Sequence, residues 1–237
     1  MYLHRSEAMA QQSDHSLKPE SNADAGSPVS STKRVLEDLR GLIIQGKLVP
    51  GEKLKIESLK SLLDTGASPI REALSLLTSD QLVERIDQRG FRVAPASAEH
   101  FSEILTLRCQ LDIIALKSSI DLGDAAWEES LLLSHSDLTK TPRDNPEHWE
   151  SLHKAFHCML LSACDSPILL RFCTQLYDLN IRYRYLAGKS GGYSKRNLEQ
   201  EHEDIMQAAL DRNTELAVSR LMSHYTLTGE FLVASFE

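Results

Sequence analysis

The chain has 237 residues, 41% hydrophobic and 25% charged, with a net charge of −8, the profile of a globular protein of one large or two small domains. That acidity excludes a nonspecific nucleic-acid coat, which needs a strongly basic chain. No apolar run approaches the roughly 18 residues of a membrane span.

Residues 1–30 are rich in Ser, Gln, Asp and Ala and lack periodicity, so they read as a disordered tail. No apolar stretch follows a basic flank there, and no secretory leader is expected. Helical periodicity begins near Thr32 with Val35, Leu36, Leu39, Leu42 and Ile43, and stops at Gly46, Pro50 and Gly51. A short helix follows with Ile56, Leu59, Leu62 and Leu63. The chain then turns through "DTGA" into "SPIREAL", residues 68–74. Ser68 is expected to cap this helix and Pro69 to take its first position, where a missing N–H costs nothing. Ile70, Ala73, Leu74 and Leu77 form its buried face, and Arg71 and Ser75 share the opposite one. Leu82–Ile86 and Phe91–Ala94 flank a polar "DQRG" tip, the signal of a β-hairpin.

Helix, helix, turn, helix and hairpin within about 65 residues is the order of a winged helix-turn-helix. In that motif the second helix enters the major groove by its N-terminal end. Arg71 stands there, where a guanidinium can fork onto guanine or clamp a phosphate. Ser68, Pro69, Arg71, Ser75, and Arg89 and Gly90 at the hairpin tip, are the candidate contacts to double-stranded DNA. Lys53, Lys55 and Arg92 could add backbone contacts. Charge agrees with this division: residues 31–95 hold 11 Lys and Arg against 9 Asp and Glu, and the residues after them 13 against 21.

After Pro95 everything reads as helix, over about 99–120, 124–138, 146–164, 167–187, 195–212 and 214–235, with Gly, Pro, Asn and Asp clusters as breaks. The expected fold is mainly α: a disordered tail over 1–30, a winged helix-turn-helix over 31–95, and an all-helical antiparallel bundle over 96–237. Four cysteines (Cys109, Cys158, Cys164, Cys173) lack CxxC spacing, so buried free thiols in a reducing, cytoplasmic setting are expected.

His153 and His157 lie four apart on one predicted helix, and His202 and His224 lie on two others. Imidazoles converging from three helices suit a divalent transition metal, zinc first among them. Spacing alone leaves open that they are four unrelated histidines. Asn180 and Arg184 share a helix face with Leu169, Cys173 and Leu176 and could line the same cavity.

"LIIQGKLVPGEKL" and "SPIREALSLLTSDQLVERIDQRGFRVAP" resemble the DNA-binding domain of the GntR superfamily of bacterial transcription factors. "FHCMLLSACDSPILL", "EHEDIMQAALDRN" and "AVSRLMSH" resemble the helical FCD effector domain of its FadR-type members, over about residues 100–235. The "HKAFH" and "RYR" runs are similar to those of the carbon-starvation-induced regulators. The resemblance implies a homodimer that reads a palindromic operator, with repression relieved by an acid metabolite as the default; Arg108, the histidines and Arg184 make a small carboxylate, a dicarboxylate or hydroxy acid, the expected effector. The resemblance implies that Arg108 meets the effector's carboxylate; His153, and by their shared helix face Asn180 and Arg184, are the other candidate effector contacts. The resemblance also implies a metal site of one Asp and three His. His157, His202 and His224 match the histidines, and His153 stands in the Asp position, so either the site has four histidines or His153 faces the effector. A second departure is Ala67, where the family commonly has arginine, so Arg71 must carry more of the base readout.

A metal-dependent enzyme built on the histidines is the competing reading, but no HExxH, nucleophile motif or Gly-rich phosphate loop is present. A helical interaction module with neither DNA nor ligand is a third.

Overall fold

The computed structural model describes residues 31–87, 89–188 and 196–236, so the expected tail lies outside the described residues. The front segment opens with α1 (Ser31–Ile44), whose Val35, Leu39 and Ile43 recur every four residues and are fully buried. The turn after it needs the left-handed backbone of Gly46 and Gly51 (φ 70° and 78°), which glycine adopts without a Cβ penalty. Next come β1 (Lys53–Leu54), α2 (Ile56–Leu63) and α3 (Ala67–Ser79). A hairpin of β2 (Val83–Ile86) and β3 (Gly90–Val93) completes the head. The sheet order is β1-β3-β2, antiparallel, with Lys53 opposite Arg92 and Val83 opposite Val93. The expected hairpin is present. The two-residue β1 was not expected, because so short a strand carries no readable alternation.

The start of α3 differs from expectation. Gly66 occupies the N-cap, no side chain caps the helix, and Ala67 is its first residue. Ser68 and Pro69 are therefore the second and third helical residues. Pro69 is tolerated because the first four N–H groups of a helix have no intrahelical partner. Ser68 Oγ instead lies 3.5 Å from Glu72 Oε1.

Among the described residues the rear segment is six helices: α4 (Ala98–Leu122), α5 (Ala125–Lys140), α6 (Pro146–Leu161), α7 (Pro167–Ala187), α8 (Leu198–Leu210) and α9 (Thr214–Ala234). Each is started by a side-chain cap: Ser97, Asp124, Asn145, Ser166, Asn197 and Asn213 each accept from a backbone N–H three residues on. Such caps contribute ~1 kcal/mol each. They explain why the breaks legible in the sequence coincide with helix starts. The helix expected to open at 195 opens at Leu198. Helix α4 is the spine, packed on α6, α7 and α9, while α5 packs on α6 and α8. Among the described residues no helix is long and apolar enough to cross a membrane. Cys164 and Cys173 are buried, Cys109 and Cys158 partly so, and all four are free thiols.

Two apolar cores form. One holds Trp127, Leu131, Phe156, Leu160, Ile205 and Leu221 inside the bundle. The other joins Val35, Leu39, Ile70, Leu74 and Leu77 of the head to Phe101, Ile104, Leu179, Tyr183 and Leu232 of the rear helices. The head thus completes its core on α4, α7 and α9. Burying a large apolar side chain contributes ~1.5–3 kcal/mol, so this junction is a substantial adhesive surface.

Candidate functional site

On the head, α3 buries Ile70, Ala73, Leu74 and Leu77 and leaves Ser68, Arg71 and Ser75 exposed on its outer side. Arg71 makes no hydrogen bond or ion pair among the described residues, so its guanidinium is available to a partner. Glu72 is not: it accepts from Thr32 Oγ1 at 2.8 Å, which draws the one carboxylate of the helix's first turns toward α1. Arg89 and Gly90 are exposed at the hairpin tip, with Gly90 at φ 96°. Arg92 is less available than expected, because its Nε donates to Glu84 Oε2 across the hairpin at 2.6 Å.

Inside the bundle the four histidines do converge. His153 and His157 from α6, His202 from α8 and His224 from α9 are all buried, and one ring nitrogen of each lies within 4.8 Å of the others. His153 Nε2 is 3.1 Å from His157 Nε2 and 3.2 Å from His202 Nε2. Tetrahedral zinc with Zn–N near 2.0–2.1 Å sets its ligand nitrogens about 3.3–3.4 Å apart. Two pairs lie near that spacing and the whole set spans 4.8 Å, so these imidazoles could hold a divalent transition metal.

The outer nitrogens of three of the rings are held in turn. His224 Nδ1 donates to Glu201 Oε2 at 2.8 Å, which leaves the His224 Nε2 lone pair for the centre. Arg196 grips the same carboxylate. Burial pushes the Glu201 carboxyl up, but the hydrogen bonds from His224 and Arg196 outweigh it and hold it at about 2. Tyr225 OH lies 3.4 Å from His157 Nδ1 and donates to Asp112 Oδ2 at 2.8 Å. His153 Nδ1 meets Tyr177 OH at 2.7 Å and Arg184 Nη1 at 3.3 Å. A guanidinium can only donate, so the Arg184 contact calls on the Nδ1 lone pair; a proton then carried on Nε2 keeps His153 out of the ligand set and leaves His157, His202 and His224. Partners of this kind fix the tautomer and orientation of metal-ligating imidazoles.

Burial first, and then the neighbouring imidazoles and arginines, hold His153, His157 and His202 well below the usual histidine range. His224 is lowered by burial against the pull of Glu201. Neutral imidazoles are the protonation state that a cation requires of its ligands.

Beside them lies a cavity walled by Arg108, His153, His157, Asn180, Arg184 and Tyr225, among others. It is about 10 Å³, room for roughly one water, so a carboxylate would have to push the walls apart. Arg108 is not a surface residue. It is 5% exposed, its Nε donates to Asp112 at 3.3 Å, its Nη1 donates to Asn180 Oδ1 at 2.9 Å, and its Nη2 has no partner. Its guanidinium lies 4.0 Å from the Tyr225 ring centroid and 4.7 Å from that of Tyr177. Burial opposes its charge, but Tyr225, Asp112 and Tyr177 more than offset this and raise its pKa. Arg184 lines the cavity but is engaged by Glu150 at 2.8 Å, so an incoming anion competes with that carboxylate.

The structure brings Arg108, His153, His157, Asn180, Arg184, His202 and His224 into one region, and sequence reasoning missed the groups that hold them. Asp112 is four residues past Arg108 and Glu150 is three before His153, so helical spacing carried a signal for both, whereas Tyr225 directly follows His224 and shares no face with it by spacing. Glu201 adjoins His202 in sequence but serves His224, and nothing in the spacing of Arg196 marks it.

A family model for bacterial regulatory proteins, gntR family, matches residues 31–93, and one for the FCD domain matches residues 103–227. The chain is 36% identical over 209 residues to the uncharacterised HTH-type transcriptional regulator BphR of Paraburkholderia xenovorans (strain LB400), covering 83% of this chain and 84% of that protein. It is 32% identical over 198 residues to the HTH-type transcriptional repressor GlaR of Escherichia coli (strain K12), covering 80% and 90%. The solved structure of E. coli McbR/YncC superposes with a TM-score of 0.78 at 19% identity, over 89% of this chain and all of that one, which supports the fold alone. The chain belongs to the GntR family of bacterial regulatory proteins, with an FCD effector-binding domain behind a helix-turn-helix head, and it is a transcriptional regulator and not an enzyme.

Proposed function

We propose that this regulator is a repressor released by a small carboxylate, most simply a dicarboxylate or hydroxy acid, bound between Arg108 and the histidine centre. The observation that carries the reading is Arg108 Nη2: a buried cationic donor without a partner, in the wall of the cavity the histidines share. Leaving such a donor unsatisfied is costly, and a carboxylate oxygen relieves it with a charge-assisted bond. A divalent transition metal, zinc by its donor set, would be held by His157, His202 and His224, with His153 as fourth ligand or facing the effector. Such an ion supplies a fixed positive charge for the acid's other oxygens. Repression is favoured because GlaR, covered over 90% of its length, is a repressor.

The DNA reading assigns Arg71 to base or phosphate, Ser75 to the same groove one turn on, and Ser68 and Pro69 to the helix's leading edge. Arg89 and Gly90 would reach the backbone from the wing. A homodimer would set two copies of α3 on the half-sites of operator DNA in the cytoplasm.

The test is a thermal-shift and calorimetry series of two- to six-carbon dicarboxylates and hydroxy acids, with zinc and with chelator, on wild type and Arg108→Lys. Saturable binding that needs zinc and weakens at least about tenfold in Arg108→Lys, roughly 1.4 kcal/mol, is expected. Equal affinity in the two proteins would show that the pocket is misplaced.

A further inference from the structure

Helix α7 carries two rows of polar side chains at the same spacing on opposite sides. Tyr177, Asn180 and Arg184 lie at i, i+3 and i+7; Asn180 and Arg184 line the pocket, and Tyr177 backs its walls His153 and Arg108. Tyr177 meets His153, Asn180 accepts from Arg108, and Arg184 meets His153 and Glu150. Gln175, Asp178 and Arg182 repeat that spacing two residues earlier, about 200° around the helix at 3.6 residues per turn. This second row reaches the head, although Asp178 also accepts from Lys154 of α6. Gln175 Nε2 donates to the Ser79 carbonyl at the end of α3 (3.3 Å). Asp178 accepts from Arg40 of α1 at 3.5 Å, and Arg40 also donates to Asp80, the C-cap of α3, at 2.6 Å. Arg182 Nη2 donates to the carbonyl of Ala94, just past β3. Ala94 N in turn donates to the Leu82 carbonyl at 3.0 Å, so that linker is fastened to both ends of the hairpin.

Arg182 is the unusual member. It is 0% exposed, its Nε and Nη1 have no partner, and it pairs with no carboxylate among the described residues. A buried guanidinium resting on one carbonyl is a loosely determined seat, because a small shift of the helix can lose one hydrogen bond and gain two. A helix is stiff along its length, so opening the 10 Å³ pocket around a ligand displaces Tyr177, Asn180 and Arg184 and moves the opposite row with them.

We propose that α7 transmits the state of the pocket to the DNA-binding head, with Arg182 as the positioning residue for the wing and Asp178, through Arg40, as the positioning residue for the recognition helix. This rests on the pocket reading above. It assigns the coupling to two side chains that touch neither DNA nor effector.

The experiment is hydrogen exchange on the full chain with zinc alone as the probe, comparing wild type, Arg182→Met and Asp178→Asn. In wild type, zinc should slow exchange at residues 153–157 and 202–206 and change it about threefold or more at residues 82–94. In Arg182→Met the protection at the histidines should persist while the change at residues 91–94 falls below about twofold. In Asp178→Asn the change at residues 79–82 should be lost instead. A wing that responds to zinc in Arg182→Met as in wild type overturns the proposal, and so does a silent wing in wild type whose histidine helices are protected. If Arg182→Met does not fold, Asp178→Asn decides, and an unaltered response at residues 79–82 sinks the inference. Failure of the metal reading shows separately, as absence of protection at the histidines in every protein. Arg108→Lys then serves as the perturbation from within the pocket: altered exchange at residues 82–94 supports transmission, and unaltered exchange overturns it.

Discussion

The head and the rear bundle place their functional groups on opposite sides of their cores. In the head, Arg71 and Ser75 stand in solvent on a helix whose inner face is Ile70, Ala73, Leu74 and Leu77, all apolar and fully buried. In the bundle, Arg108, Asp112, His153, His157, Asn180, His202 and His224 are buried among apolar neighbours. An exposed arginine costs the head nothing in stability and can be spent on a partner. A buried arginine must be held by Asp112, Asn180 and two aromatic rings, so the bundle's site and the bundle's stability are the same set of contacts. Changes in the head should therefore alter binding without altering folding, whereas changes in the bundle should alter both.

Acid should break the bundle most. The four imidazoles titrate well below or below the usual range when folded and near 6.5 when unfolded. The unfolded chain then binds more protons between the folded and unfolded pKa values. Stability is fully present above about pH 6.5 and declines as pH falls below it. Thermal melts of metal-free protein from pH 8 to 5 should show this, and a flat Tm across that range would refute the buried, neutral centre.

Arg108→Ala should come next. It strips Asp112 of its ion pair inside the bundle, and breaking a buried pair costs ~3–5 kcal/mol. Urea denaturation measures it. Arg108→Lys keeps the charge and should cost less, which makes it the fairer probe of ligand binding.

Glu201→Gln should weaken zinc about 10–100-fold, the usual effect of losing a carboxylate behind a ligating histidine. Chelator competition reads this directly, and an unchanged affinity would remove His224 from the metal set. His153→Asp in the same assay separates the two roles of that residue. Tighter zinc makes position 153 a ligand, and unchanged zinc assigns it to the acid.

Arg71→Ala should cost ~1–3 kcal/mol of DNA affinity if it meets a guanine. Stability should stay within about 0.5 kcal/mol, as for other exposed sites. Fluorescence anisotropy against a duplex recovered by selection from a random library, paired with a melt, tests both halves of the comparison.

The smallest effect belongs to Ser68→Ala. A true N-cap serine would lose ~1 kcal/mol, but Gly66 holds that position and Ser68 reaches only Glu72. A change under about 0.5 kcal/mol is expected.

The sequence by itself determined the helices and the hairpin, because those are written in local terms. Apolar residues recur at 3.6 in α1 and α3 and alternate around the hairpin tip, and Ser97, Asp124, Asn145, Ser166, Asn197 and Asn213 mark the starts of the bundle helices. The face of α3 that carries Arg71 followed from the same periodicity. Spacing also flagged His153 with His157, since residues four apart share a helix face. Their meeting with His202 and His224 was implied by family resemblance and by no pattern in the chain.

Tertiary structure alone decided the rest. Helix α3 starts at Ala67 behind Gly66, and Ser68 Oγ faces Glu72 instead of a backbone N–H. Lys53 and Leu54 became a strand only because β3 offered an edge. Arg108 was drawn inside because Asp112, Asn180, Tyr177 and Tyr225, three of them from other helices, supply the partners a buried cation requires. The division of α7 into a pocket row and a head row is invisible in its composition, because a helix does not record what packs against each of its sides. Burial reverses the meaning of a polar residue, and which residues are buried is settled by contacts between segments far apart in the chain.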